Sequence, residues 1–524
     1  MKRFMTIIAA LAAFASCQAA CSDNPSDSPS DPSFKEDVLE QIEVSRLAST
    51  SDGKVYLEVD GKAFPLFGAQ IRVDVFKNCD EMEDSQIESY FKAASELGLN
   101  CVQVPITWKG WEPQKGEYDN SWIDLILGCA VKYGLKMELL WFSTNMIGDS
   151  YTYFVPTYAM GHASSRLKRG WDDNFHNLYG YYHELILDDE WLLEQETRAV
   201  TALFNHIRNW DAANGLTHPV ITCQLHNEID GLARWRLAED SFTFQDGTAL
   251  TEQKAWDMTL NAVDAVGQAI HNSSYKVATR VNYTSCTNPG TFPQCTDAAG
   301  RDALAKAGVD FISVDPYMNS VDEISSVVEA FRKESGNYPL IAENRGYYDT
   351  TPSLILATAA LGGGYDIYDL ATSPYIYTNN GFPWSEEGIL TYDLFDRTHT
   401  PLTRSILKGL VEAGEDVALT STENFLAYNV TANYPRENHT MIANTTGARF
   451  TVKAEGKGLG FILDRGDSLV MYFTSDTAVT VENGTLEGGS NSVRLNPGKL
   501  VRYAFASDGK LDSTTKKYIG TRFN

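Results

Sequence analysis

The sequence predicts an α/β fold, a (β/α)8 TIM barrel followed by a C-terminal all-β sandwich. Three observations carry this reading. A phrase of amphipathic segment, glycine and short apolar strand recurs through the middle of the chain; eight strands can be counted around it; and after Glu412 the helical phrases give way to short alternating strands. Helix–strand alternation imposes parallel strands joined by right-handed crossovers, and strands buried on both faces are almost continuously apolar. An open doubly wound sheet would often carry a Gly-rich phosphate loop after its first strand. None is present, and eight strands favour closure.

The N-terminus opens with Lys2-Arg3, an apolar run from Phe4 to Phe14, small residues, Cys17 and Cys21, and then a Ser/Asp/Pro tract. The run is too short to span a membrane and suits an export signal. The pattern resembles a Bacteroidetes-type lipoprotein leader. That implies a lipoprotein signal peptide over 1–21, lipidated at Cys17 or Cys21, and a disordered tether over 22–35. It places the protein at the bacterial envelope, touching the membrane only through an N-terminal lipid anchor.

Residues 36–412 are read as the barrel with an N-terminal hairpin. Val55 to Lys62 alternates and meets an Asp60-Gly61 turn, a hairpin signal expected to cap the barrel floor. The first strand runs from Phe67 to Arg72. Ile87, Phe91, Ala94 and Leu97 then form one helical face before Gly98 and the strand Cys101–Val104. Gly134, Gly215, Gly308, Gly336 and Gly364 precede the strands that begin near Met137, Val220, Phe311, Leu340 and Tyr365. Each glycine is a plausible helix stop, because it tolerates the left-handed conformation. Lys276 to Asn282 supplies the remaining strand, after a long amphipathic helix from about Glu252 to Ile270. Residues 413–524 read as a sandwich, with alternating strands at 425–430, 469–473 and 479–481 and turns rich in Gly and Asn.

The bulk numbers agree with two folded domains: 524 residues, 43% apolar and 21% charged. The net charge of −26 argues against nucleic acid or an anionic membrane surface as partner, since either needs a basic patch. Cys101, Cys129 and Cys223 sit in apolar patterns and read as core residues. Cys286 and Cys295 flank a Pro/Gly loop and could pair. There is no CxxC or HExxH and the histidines are scattered, so no metal and no cofactor are expected.

In such barrels the active site lies at the carboxyl ends of the strands. Those ends carry Arg72; Trp108 with Trp111 and Glu112; Trp141 and Asn145; His226-Asn227-Glu228; Asn282-Tyr283; Asp315-Pro316-Tyr317; Glu343-Asn344; and, beyond strand eight, Trp384. Carboxylates and amides bind hydroxyls, and aromatic faces pack on the apolar side of a sugar ring. An aromatic-rich insertion, Ser143 to Asp188, follows strand three on the same face. Glycosidic bonds are commonly cleaved by two carboxyl groups on opposite sides of the bond, about 5–5.5 Å apart for retention and about 6.5–9.5 Å for inversion. Glu228 and Glu343, from strands four and seven, face each other across the mouth in this reading.

These residues resemble the large clan of retaining barrel glycosidases, in which Asn-Glu ends strand four and Glu ends strand seven. Gln224-Leu225-His226-Asn227-Glu228 and Pro339-Leu340-Ile341-Ala342-Glu343-Asn344 match those two motifs. Leu99 to Trp108, continuing to Trp111-Glu112-Pro113 and Gly116-Glu117-Tyr118-Asp119, is similar to the strand-two region of β-galactosidase families 35 and 42. The resemblance spans about Lys54 to Glu412. It implies that Glu228 is the acid/base and Glu343 the nucleophile. It also implies that Asn227 binds the sugar 2-hydroxyl, that Tyr317 and Arg72 hold Glu343, and that Trp384 floors the sugar site; Asn282, Trp108 and Trp141 are further candidates for substrate contact. The expected partner is an oligosaccharide or polysaccharide, and the expected reaction exo-acting β-galactosidase-like hydrolysis. His226, and the Ile229-Asp230 pair before Gly231, depart from the galactosidase pattern. The alternative from another class is a non-catalytic carbohydrate-binding surface lipoprotein on the same barrel.

Overall fold

The structure is a computed structural model, and it describes residues 38–78, 81–144, 154–169, 185–237, 241–284, 299–334, 336–345, 349–371, 400–466, 468–482 and 491–504. The leader and tether, Cys79, Cys286, Cys295, Asn145, Trp384 and most of the 143–188 insertion lie outside the described residues.

Eight parallel strands close into a barrel: β1 (Phe67–Ile71), β2 (Cys101–Thr107), β3 (Lys136–Phe142), β4 (Val220–Leu225), β5 (Ala278–Tyr283), β6 (Phe311–Val314), β7 (Leu340–Arg345) and β8 (Gly364–Ala371). Each strand pairs with its neighbour in sequence, and β8 returns to β1 through Tyr365 beside Phe67 and Asp366 beside Gly68. Helices cover the outside: α1 (Asp84–Leu97), α2 (Ser121–Tyr133), α3 (Glu190–Ala213), α4 (Glu252–His271), α5 (Val321–Arg332), α6 (Thr351–Ala360) and α7 (Thr400–Ala413). In the fifth crossover the described residues form a 3-10 segment, Ala299–Ala305.

The repeated glycine plays two roles. Gly98 and Gly134 adopt φ of 94° and 67° and cap α1 and α2, as a left-handed stop should. Gly308 does not. It lies against α4, where a side-chain carbon would fall 2.2 Å from the Asp264 carbonyl oxygen, so its smallness lets helix and strand approach.

Below the barrel, Ser45–Ser49, Val55–Val59 and Lys62–Phe64 form a three-stranded antiparallel sheet. The Ala278 amide donates to Ser45 Oγ at 2.8 Å, which fixes this sheet at the amino-terminal end of β5.

Two four-stranded antiparallel sheets follow. One contains β9 (Phe425–Val430), β12 (Gly458–Asp464), β13 (Ser468–Phe473) and β16 (Val501–Ala504). The other contains β10 (Thr440–Asn444), β11 (Arg449–Ala454), β14 (Thr477–Val481) and β15 (Ser492–Leu495). Their inner faces bury Tyr428, Phe450, Val452, Ile462, Met471 and Phe473. The outer face of the first sheet continues the barrel core through Leu459, Phe461, Leu463, Val470 and Tyr472. Tyr472 lies on α7 at Gly409 and donates its hydroxyl to the Ser405 carbonyl at 2.6 Å. No helix among the described residues is long and apolar enough to cross a membrane.

Candidate active site

At the carboxyl ends of the strands, three non-glycine residues adopt a left-handed backbone. His226, Glu228 and Tyr317 have φ of 60°, 49° and 49°. Non-glycine residues held in the left-handed region cost about 1–2 kcal/mol each, and such strain persists where neighbouring structure over-determines it. Here the neighbours are visible. The His226 amide donates to the Trp141 carbonyl at 3.1 Å, and the Glu228 amide donates to Asn282 Oδ1 at 2.8 Å.

Glu343 is buried at the β7 end and receives two side-chain hydrogen bonds, from Gln70 Nε2 at 2.8 Å and from the Tyr317 hydroxyl at 2.6 Å. Burial pushes its carboxyl above the usual range; the bonds from Tyr317 and Gln70 and the charges of Arg72 and Arg280 pull it back. The Tyr317 phenol is driven well above its ordinary value, first by burial and then by the Glu343 charge, so it remains a donor. Arg72 directs its fork at Asp74, with both bonds at 2.9 Å, and lies over the Phe142 ring at 5.9 Å. Its influence on Glu343 is that of a nearby positive charge.

Asn282, at the β5 end, links the residues that follow β4 to the one that follows β6. Its Nδ2 donates to Asp315 Oδ2 at 2.6 Å and to Asn227 Oδ1 at 3.2 Å, while its Oδ1 takes the Glu228 amide. Gln224 Nε2 also donates to Asn227 Oδ1, at 3.2 Å. Asp315 is fully buried and held well above the carboxylate range, by burial first and then by the charges of Glu343 and Glu228. The described rim therefore brings three carboxyl groups together on β4, β6 and β7.

Strand three is organised by a carboxylate from the outer helical layer. Glu196 of α3 is fully buried and accepts from Trp141 Nε1 at 2.9 Å, His226 Nε2 at 3.0 Å, Thr144 Oγ1 at 3.2 Å and Ser143 Oγ. Burial opposes its charge, yet His226 and these donors hold its carboxyl below the ordinary value. A second buried acid, Glu112, accepts from Trp108 Nε1 at 2.9 Å and Tyr158 OH at 2.8 Å, and pairs with Arg198 at 2.6 Å.

The structure thus places the candidates at the strand ends in two hydrogen-bonded groups, Glu343 with Tyr317, and Asn227 and the Glu228 backbone with Asn282, and Arg72 acts on Glu343 through its charge. Trp108 and Trp141 are enclosed, at 0% and 1% exposure, with their N–H groups on Glu112 and Glu196. Phe154 packs edge-on to Phe142 with ring centroids 5.9 Å apart. Gln70 and Glu196 were not among the sequence candidates, and Asp315 was named only as the end of strand six, without a role. Glu196 had a legible signal: a glutamate in the apolar stripe of Leu192, Ala199 and Leu203 on α3. Gln70 had a fainter one, two residues before Arg72 on a strand where alternate residues share a face.

Beneath the rim the barrel interior is polar. Arg280 Nε donates to Glu138 Oε2 at 2.8 Å, and both side chains are fully buried. Among the described residues no group of three or more His, Cys, Asp or Glu side chains is arranged to hold a metal ion.

A family model described as a domain of unknown function (DUF4978) matches residues 258–435. No curated protein matches. Among solved structures the chain is similar to an exo-β-1,4-mannosidase from Opitutaceae bacterium strain TAV5, at 15% identity and a TM-score of 0.46, covering 71% of this chain and 63% of that one. It is also similar to an endo-1,4-β-mannanase from Rhizomucor miehei, at 15% identity and a TM-score of 0.43, covering 68% and 99%. A third is a β-mannanase from Thermomonospora fusca in complex with mannohexaose, at 14% identity and a TM-score of 0.37, covering 63% and 85%. None of these three is a β-galactosidase, and the chain spans less than two thirds of the mannosidase's length.

Proposed function

We propose that this chain is a retaining β-glycoside hydrolase, exo-acting and β-galactosidase-like, working by double displacement. Glu343 attacks the anomeric carbon. Glu228 protonates the departing oxygen and then, as its conjugate base, takes a proton from the water that releases the sugar. The observation that carries this reading is the holding of Glu343: two neutral donors, Tyr317 and Gln70, each bond a different carboxylate oxygen. That arrangement orients a carboxylate without covering it with a countercharge, which suits a nucleophile. Glu228 stands on a separate strand end, anchored through Asn282. Asn227, between Gln224 and Asn282, offers its amide to a sugar hydroxyl.

A panel of aryl β-glycosides (galactoside, glucoside, mannoside, arabinoside, fucoside) tests the proposal with the wild type and Glu343→Ala. Turnover of one sugar, lost in the variant, supports it and names the epimer. Proton NMR of the first-formed product should show the β anomer; an α anomer overturns the retaining assignment. Absence of turnover across the panel and on oligosaccharides favours a carbohydrate-binding surface protein. The leader pattern supports an envelope lipoprotein, which mass spectrometry of the mature N-terminus checks by finding a lipidated Cys17 or Cys21.

A further inference from the structure

We propose that Glu196 is a positioning residue for acid catalysis: through His226 it fixes the strained turn that aims Glu228. This rests on the assignment of Glu228 as the acid/base. Glu196 lies on α3, in the crossover that follows β3, yet its carboxylate reaches inward to the strand ends. Trp141, Ser143, Thr144 and His226 all donate to it, and they come from the ends of two adjacent strands, β3 and β4. A packing role would need no charge here. The neighbours in the same stripe are Leu192, Ala199 and Leu203, and a buried carboxylate is costly unless its oxygens are used.

The oxygens are used to hold His226. That residue is fully buried, has φ of 60°, and immediately precedes Asn227-Glu228. Its ring bonds Glu196 and its amide bonds the Trp141 carbonyl, so its side chain is tied to α3 and its backbone to strand three. On the other side the Glu228 amide is tied to Asn282 of β5. The turn that carries Glu228 is therefore clamped from both flanks, and Glu196 is the clamp on the β3 side. Glu343 depends on a different set, Gln70 and Tyr317. Loosening Glu196 should disturb proton donation while leaving the nucleophile in place.

This separation is readable in kinetics, because a good leaving group departs without protonation and a poor one does not. The experiment compares kcat/KM for dinitrophenyl, nitrophenyl and phenyl β-glycosides of the preferred sugar in the wild type, Glu196→Gln, His226→Asn and Glu228→Ala. Asparagine keeps the left-handed backbone accessible but is too short to reach Glu196, so His226→Asn tests the link if Glu196→Gln does not fold. The expected result is a steeper dependence on the leaving group in both positioning variants. Phenyl glycosides should lose about tenfold or more and dinitrophenyl glycosides less than about threefold, within the range general acid catalysis supplies. A uniform loss across the series overturns the proposal, as does an unchanged profile. Glu228→Ala separates the two assignments: if it steepens the dependence and the other variants do not, only the role of Glu196 falls. If Glu228→Ala leaves the dependence flat, the acid/base assignment falls and this inference with it.

Discussion

Removing the Tyr317 hydroxyl takes away one of the two hydrogen bonds that hold the Glu343 carboxylate. A donor to the charged form lowers a carboxyl pKa, so its loss raises that pKa. Tyr317→Phe should therefore shift the acid limb of the kcat/KM profile to higher pH. A hydrogen bond to a charged group contributes about 1.5–3 kcal/mol, so the fall at the optimum should be about ten- to a hundredfold. A pH–rate profile on an aryl glycoside checks both. Glu228 carries a different cost: a left-handed backbone and a charge near Asp315. Asn is easier in that conformation and uncharged, so Glu228→Asn should raise stability by about 0.5–1 kcal/mol while abolishing turnover. Thermal unfolding of the two proteins tests the sign. The residue scale was the less legible one in the sequence. Glu343 stands out because it ends an apolar run, and Glu228 because it follows Asn227 just past the end of a strand. Gln70 and Asp315 look ordinary until closure of the barrel turns them inward.

At the scale of elements, periodicity says more. The α1–β2 and α2–β3 phrases read directly, because an apolar face at helical spacing ends in a glycine that needs positive φ. The phrase before β6 looks the same, but its glycine serves contact with α4 instead, and sequence cannot separate a stop from a close approach. Lys54 marks a junction between elements that no periodicity reveals. From the turn before the Val55–Val59 strand it donates to the Val417 and Thr420 carbonyls, at 3.0 and 2.7 Å. Burial lowers its pKa from 10.5 to about 7. Between those two values the unfolded chain binds more protons than the native one, so stability should rise with pH from about 7 to 10.5. Lys54→Met should remove that slope, which denaturant titrations across the window would show. A slope unchanged by the substitution would exclude Lys54 as its source.

At the scale of the whole molecule, barrel and sandwich share a core. Tyr472 and Phe461 stack with centroids 5.8 Å apart on the sheet face turned to the barrel, and a side-chain carbon at Gly409 would fall 2.5 Å from the Tyr472 ring. Gly409→Val should displace that ring and lower stability by about 1–3 kcal/mol. Calorimetry should still show one transition; a split into two would mean the halves unfold independently. The closure of the barrel, β8 against β1, sets a schedule for synthesis. Phe67 waits for Tyr365, roughly 300 residues later, and at about 5–20 residues per second this takes tens of seconds. Through that interval the free edge of β1 has no final partner, and every strand made before β8 belongs to an open sheet. The emerging chain must therefore be kept from pairing with other copies of itself. Slower emergence, from the ribosome or from an export channel, lengthens its exposure, so the yield of folded protein is set partly by that pace and by whatever covers that edge meanwhile.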